Sequence, residues 1–124
     1  MVSRSELIAE LIESGVRCTP ENIIGIAKLA DGKIVFLETG NSKAGLQHIL
    51  ENHTADFANK GILPEQIPDA AIAAVTQGII VGYLGSGRKP RPIYQLSFLG
   101  TTQYIAVTVS DNGFIVGANP TSFP

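Results

Sequence analysis

The hydrophobic period of this chain changes near Gly78, and that change limits the fold more than any other feature. Before it, apolar residues recur mainly at helical spacing; after it, they alternate with polar residues at a period of two. Helices first and a run of turn-linked strands afterwards describe an α+β fold, with N-terminal helices packed on one face of a twisted antiparallel sheet. At 124 residues the chain fits a single domain, and neither repeats nor a linker divide it.

The elements follow from local chemistry. Ser3 and Glu6 form a capping box, and Leu7, Ile8, Leu11 and Ile12 give one apolar face to a helix over about 4–14 that Gly15 stops. Two β-rich runs, Ile23–Leu29 and Lys33–Glu38, flank Asp31-Gly32, a hairpin signal. A second helix is predicted from near Ser42 to about Lys60, with Leu46, Ile49, Leu50 and Phe57 as its stripe. A third runs from Pro64 to Gln77, its prolines confined to the first turn. Strands Ile79–Tyr83, Ile93–Phe98, Tyr104–Ser110 and Phe114–Ala118 follow, separated by LGSGRKPRP, Gly100-Thr101 and Asp111-Asn112-Gly113.

Composition narrows the chemistry. The chain is 44% hydrophobic and 16% charged, which is globular, and its one cysteine, Cys18, leaves no disulfide framework and no thiolate-rich zinc site. No apolar run reaches the length of a membrane span, and MVSRSELIAE lacks the apolar core of a secretion signal. The net charge of −2 is unevenly divided: residues 1–77 carry −4 and residues 78–124 carry +2, with Arg88, Lys89 and Arg91 clustered. That is too little for a non-specific nucleic-acid coat and enough to grip one or two phosphates; a solvated turn explains the cluster equally well.

A two-residue loop at Gly100-Thr101 pairs Leu96 with Ile105, and one at Asn112-Gly113 pairs Thr108 with Gly117 and Val109 with Val116. Tyr94, Leu96, Ile105, Val107, Val109, Val116 and Ala118 then form the core face. The opposite, uncovered face carries Arg91, Ile93, Gln95, Ser97, Tyr104, Thr108 and Ser110, with Asn119 beside them. Arg91, Thr108 and Asn119 are therefore expected close together.

On a helical wheel His53 falls inside the apolar stripe of the second helix and His48 points away from it. The plain reading is a core histidine and a surface histidine. The functional reading makes one or both the acid/base group of a metal-free hydrolysis, since imidazole titrates near neutral pH. Phosphate-loop, dinucleotide and nucleophile-elbow motifs are missing, and Cys18 has no histidine nearby in sequence.

The segments FLETGNSKAGLQHILENH, FANKGI, RPIYQLSFLG and AVTVSDNGFIVGANP together resemble the C-terminal toxin domains of filamentous-haemagglutinin-type contact-dependent growth inhibition proteins, and related phage-borne nuclease domains. These are placed in the barnase/EndoU/colicin/RelE-like ribonuclease superfamily, and the resemblance spans roughly residues 22–120. It implies metal-independent cleavage of RNA, often transfer RNA, without a cofactor. A cognate immunity protein is implied as partner, with action in the cytoplasm after delivery within a larger secreted protein. By the same resemblance His48, His53, Arg91, Tyr94 and Thr108 are catalytic candidates and Asn119 a substrate-binding one; the charge cluster adds Arg88 and Lys89 as substrate-binding candidates. His48 would take the proton of a ribose 2′-hydroxyl, Arg91 would stabilise the phosphoryl oxygens, Thr108 and Asn119 would orient the phosphate, and His53 would act as acid or support the helix. Tyr94 departs from this, because its strand position puts it on the core face. The same polar face would also serve a protein- or RNA-binding module without turnover, an option favoured by the acidic first half.

Overall fold

A computed structural model describes residues 3–85 and 90–124. The architecture is α+β: the described residues form three α-helices, a two-stranded sheet and a four-stranded sheet, both antiparallel. Helix α1 (Arg4–Glu13) begins where the Ser3 side chain accepts the Glu6 N–H at 3.2 Å. Its Leu7 and Leu11 pack on β1 (Ile23–Lys28) and β2 (Ile34–Glu38), closing a small core with Ile23, Ile34 and Phe36. Ile12, expected on that face, is exposed. The β1–β2 loop is longer than a tight turn, since pairing stops at Lys28 opposite Ile34.

Helix α2 (Leu46–Asn59) starts four residues later than the periodicity predicts. Asn41 is the reason. Its side-chain oxygen accepts the N–H groups of Lys43 and Ala44, and its own N–H donates to the Ala44 carbonyl, so residues 41–44 close a turn instead of beginning a helix. The third helical stretch is a 3₁₀ turn over Pro64–Gln66 followed by α3 (Ile67–Gln77). Helices α2 and α3 bury Ile49, Phe57, Ile67, Ala70, Ala71 and Ala74 against one face of the large sheet. No helix among the described residues is long and apolar enough to cross a membrane.

The large sheet is β3 (Ile79–Leu84), β4 (Arg91–Phe98), β5 (Thr101–Val109) and β6 (Ile115–Thr121), in that spatial order. Two details of its register differ from the sequence reading. The β4–β5 loop is Leu99-Gly100, so Tyr94 rather than Leu96 lies opposite Ile105. Both loop residues have positive φ, 53° and 79°, the twist that tight hairpins require, and Gly100 meets that demand only in the second position. The slip is two residues, so no side chain changes face. Between β5 and β6, Thr108 does pair with Gly117, but Val109 pairs with Ile115. Val116 is thus the extra residue of a bulge, and Ile115 takes its place in the core. Gln103, buried on the same inner face, is satisfied by donating to the Lys60 carbonyl at 2.9 Å.

Candidate active site

The outer face of the sheet carries one row formed by Arg91, Thr108 and Gly117 and a second formed by Gly82, Ile93, Ala106 and Asn119. Strand pairing places these residues, and side-chain bonds then bind them together. Arg91 Nε donates to Thr108 Oγ1 at 2.6 Å, and Arg91 Nη1 donates to Asn119 Oδ1. Burial pulls the guanidinium down from its ordinary value, although a guanidinium stays charged in a protein. No carboxylate among the described residues pairs with it. Arg91 is therefore a half-buried cation held by two neutral acceptors, an arrangement that leaves its charge open to an anion.

His48 reaches this cluster around the sheet edge. The N–H of Gly45, just before α2, donates to the Val116 carbonyl at 2.9 Å, so the bulge in β6 anchors the start of the helix. One turn on, the His48 ring lies over Gly117. A Cβ built on Gly117 would sit 3.6 Å from His48 Nε2 and 3.8 Å from Arg91 Nη2, so both groups lie within 4 Å of one point above β6. His48 Nδ1 lies 3.0 Å from the Ser42 carbonyl. A carbonyl can only accept, so this contact calls for the proton on Nδ1 and, in the neutral ring, the lone pair on Nε2; Asn52 Nδ2, a donor, stands farther from the same nitrogen at 3.2 Å and makes its shorter bond elsewhere. Asn52 supports this end of the helix by donating to the His48 carbonyl at 2.8 Å. The arrangement can withdraw a proton at Nε2 beside a site that holds an anion.

The remaining candidates are placed differently. His53 is five residues beyond His48, which turns it by roughly 140° about the helix axis. Its Nδ1 pairs with Asp56 Oδ2 at 2.9 Å, and among the described residues no hydrogen bond joins it to Arg91, Thr108 or Asn119. Tyr94 lies on the inner face, packed at the margin of the main core; burial and then neighbouring Tyr83 push its phenol up. Arg88 and Lys89 lie outside the described residues. Burial, then Glu38, pushes the Cys18 thiol up, so it is poorly suited to act as a nucleophile.

The face is not uncovered, as its pattern suggested. Ile93 and Ala106 point outward yet are only 2% and 0% exposed. The segment after β6 turns back over this face: Phe123 packs on Tyr104, and Pro124 reaches Gly82 in β3. Sequence reasoning also missed Ser42, Asn52 and Gly117. An Asn at the head of a turn and glycines inside strands were the available signals. A cavity of about 570 Å³ lies elsewhere, lined by Arg4, Ile24, Asp69, Ile72 and Ser97 among others, and none of the cluster lines it; Arg91 and Thr108, together with Tyr94, line a smaller one of about 310 Å³. Among the described residues no group of three or more His, Cys, Asp or Glu could hold a metal ion.

No protein-family model matches this chain, and no curated protein matches it.

Proposed function

We propose that this chain is a metal-independent endoribonuclease of the toxin type, belonging to the barnase/EndoU/colicin/RelE-like superfamily and cleaving RNA, with transfer RNA as a candidate substrate. One observation carries the reading: a half-buried arginine stands beside an imidazole, and among the described residues neither a carboxylate pairs with the guanidinium nor a hydrogen-bond partner occupies the ring's Nε2. In this scheme His48 Nε2 removes the proton of a ribose 2′-hydroxyl. The oxygen attacks the adjacent phosphorus, the P–O5′ bond breaks, and the departing oxygen takes a proton from solvent. A 2′,3′-cyclic phosphate and a 5′-hydroxyl remain. Arg91 Nη2 meets the phosphoryl oxygens as their negative charge grows. Thr108 accepts from Arg91, which leaves its own O–H to donate to the phosphate, and Asn119 holds the guanidinium in plane. His53 supports the helix surface rather than the reaction, and Tyr94 supports the core. RNA is selected over DNA because only RNA has the internal nucleophile. The toxin reading carries its partner and place of action with it: a cognate immunity protein, and the cytoplasm of a target cell reached within a larger secreted protein.

The test is incubation of the purified protein with total RNA in the presence of a chelator. Discrete fragments ending in cyclic phosphate are expected. RNA that stays intact at high protein concentration, while binding to it or to a protein partner persists, would replace the enzyme with a binding module.

A further inference from the structure

The segment Ser122–Pro124 crosses the sheet from one edge to the other. Strand β6 is one edge and β3 is the opposite one, yet Pro124 comes to rest on Gly82 of β3. A Cβ on Gly82 would stand 2.7 Å from Pro124 Cγ, so this seat exists because the strand has a glycine there. On the way, the Phe123 ring meets Tyr104 edge-on, with centroids 5.5 Å apart and planes at 71°. Ile93 and Ala106 are buried on this face, but Phe123 itself stays 65% exposed. A residue serving only as a cover would turn its ring inward. This one is clamped at one edge by Tyr104, fixed at the next residue by Pro124, and otherwise open to solvent on the same face as Arg91.

We infer that Phe123 is a stacking platform for an unpaired nucleobase flanking the phosphate held by Arg91. The inference rests on the ribonuclease reading and adds to it the class of substrate: RNA that is single-stranded beside the cut. A cation that grips a phosphate and an exposed aromatic ring on one face are the two parts of single-strand recognition. Tyr104 is four residues from Thr108 on the same face of β5, a displacement of ~13 Å along the strand. The platform therefore receives a neighbouring base and not the base of the attacked ribose. Paired bases, already stacked within a helix, cannot offer a face to it.

The chain contains no tryptophan, so Phe123→Trp creates a single fluorescent reporter. The probe is a short 2′-O-methyl oligoribonucleotide, which lacks the nucleophile and survives. Saturable quenching by the single strand is expected, with none from a blunt duplex or from the same strand made abasic. In parallel, Phe123→Ala should raise the KM for a single-stranded RNA about tenfold with a much smaller change in kcat, and Phe123→Tyr should restore it. Gly82→Val, which unseats Pro124, should raise KM in the same way. Melting temperatures identify any variant that fails to fold. If the wild-type protein cleaves RNA and the oligonucleotide competes, but Phe123→Trp is not quenched and Phe123→Ala keeps its KM, the platform is overturned and the ribonuclease stands. If the wild-type protein neither cleaves RNA nor binds the oligonucleotide, the ribonuclease reading fails and the platform fails with it.

Discussion

Residues one step apart on β4, β5 and β6 meet opposite surroundings. On the inner face Leu96, Ile105, Val107 and Ala118 are sealed beneath α2 and α3. On the outer face Arg91, Thr108 and Asn119 are half-buried and joined by hydrogen bonds, with His48 leaning over the edge at Gly117. The two faces are constrained by different physics. The inner one is close-packed, so it is sensitive to lost volume. The outer one is a network of donors and acceptors, so it is sensitive to a lost polar atom even when volume is kept.

The largest effect should separate the faces most cleanly. Under the ribonuclease reading, His48→Ala should slow RNA cleavage by about a hundredfold or more while changing the melting temperature little, because the ring lies outside the core. His53→Ala, measured beside it, should keep most of the rate. Full activity in His48→Ala with activity lost in His53→Ala would move the catalytic role along the helix, and full activity in both would remove imidazole from the mechanism.

Ile105→Ala tests the inner face. It should cost ~2–5 kcal/mol in denaturant unfolding, since a fully buried side chain is removed from a close-packed layer. The cleavage rate per folded molecule should be retained. Unfolding unchanged by this substitution would break the assignment of that face as the core.

Thr108→Val conserves shape and deletes one hydroxyl. It leaves Arg91 Nε without its acceptor and should lower the cleavage rate about tenfold, at a stability cost of ~1 kcal/mol. A rate equal to wild type would show that Arg91 does not need this bond to meet the phosphate.

Tyr94→Phe should have the smallest effect and sharpens the contrast by doing nothing to cleavage at neutral pH. Burial, then Tyr83, raises the phenol, so folding favours its protonated form. That contribution is complete below the ordinary tyrosine range, about pH 10, and is lost as the pH rises through the raised value. Melting curves across that window should therefore fall less steeply for Tyr94→Phe. A cleavage defect at neutral pH would return Tyr94 to the active site.

Much of this was legible in the chain before any coordinates. The Ser3 cap, the change of period at Gly78 and four successive strands appear as local chemistry predicts, although β4 and β5 begin earlier, at Arg91 and Thr101, and β6 runs on to Thr121. Arg91, Thr108 and Asn119 come together even though the first turn was placed one residue off, because that error slides the register by two residues and leaves the faces intact. The late start of α2 was hidden by Asn41, whose turn competes with the helix and also directs the Ser42 carbonyl at His48. The cover over Ile93 was hidden because a short segment after the last strand has no period from which its path could be read.

Sequence by itself determined direction: which side chains share a face of a strand or a stripe of a helix, since those repeats belong to the backbone. Tertiary structure alone decided what each direction meets. A wheel correctly turns His48 away from the core stripe, but whether that leads to solvent or to Arg91 depends on where the helix axis lies. Here a bulge at Val116 and one bond from Gly45 lay the axis along the edge of β6. Those contacts join residues about 70 positions apart, and no local repeat encodes a distance between elements that far separated.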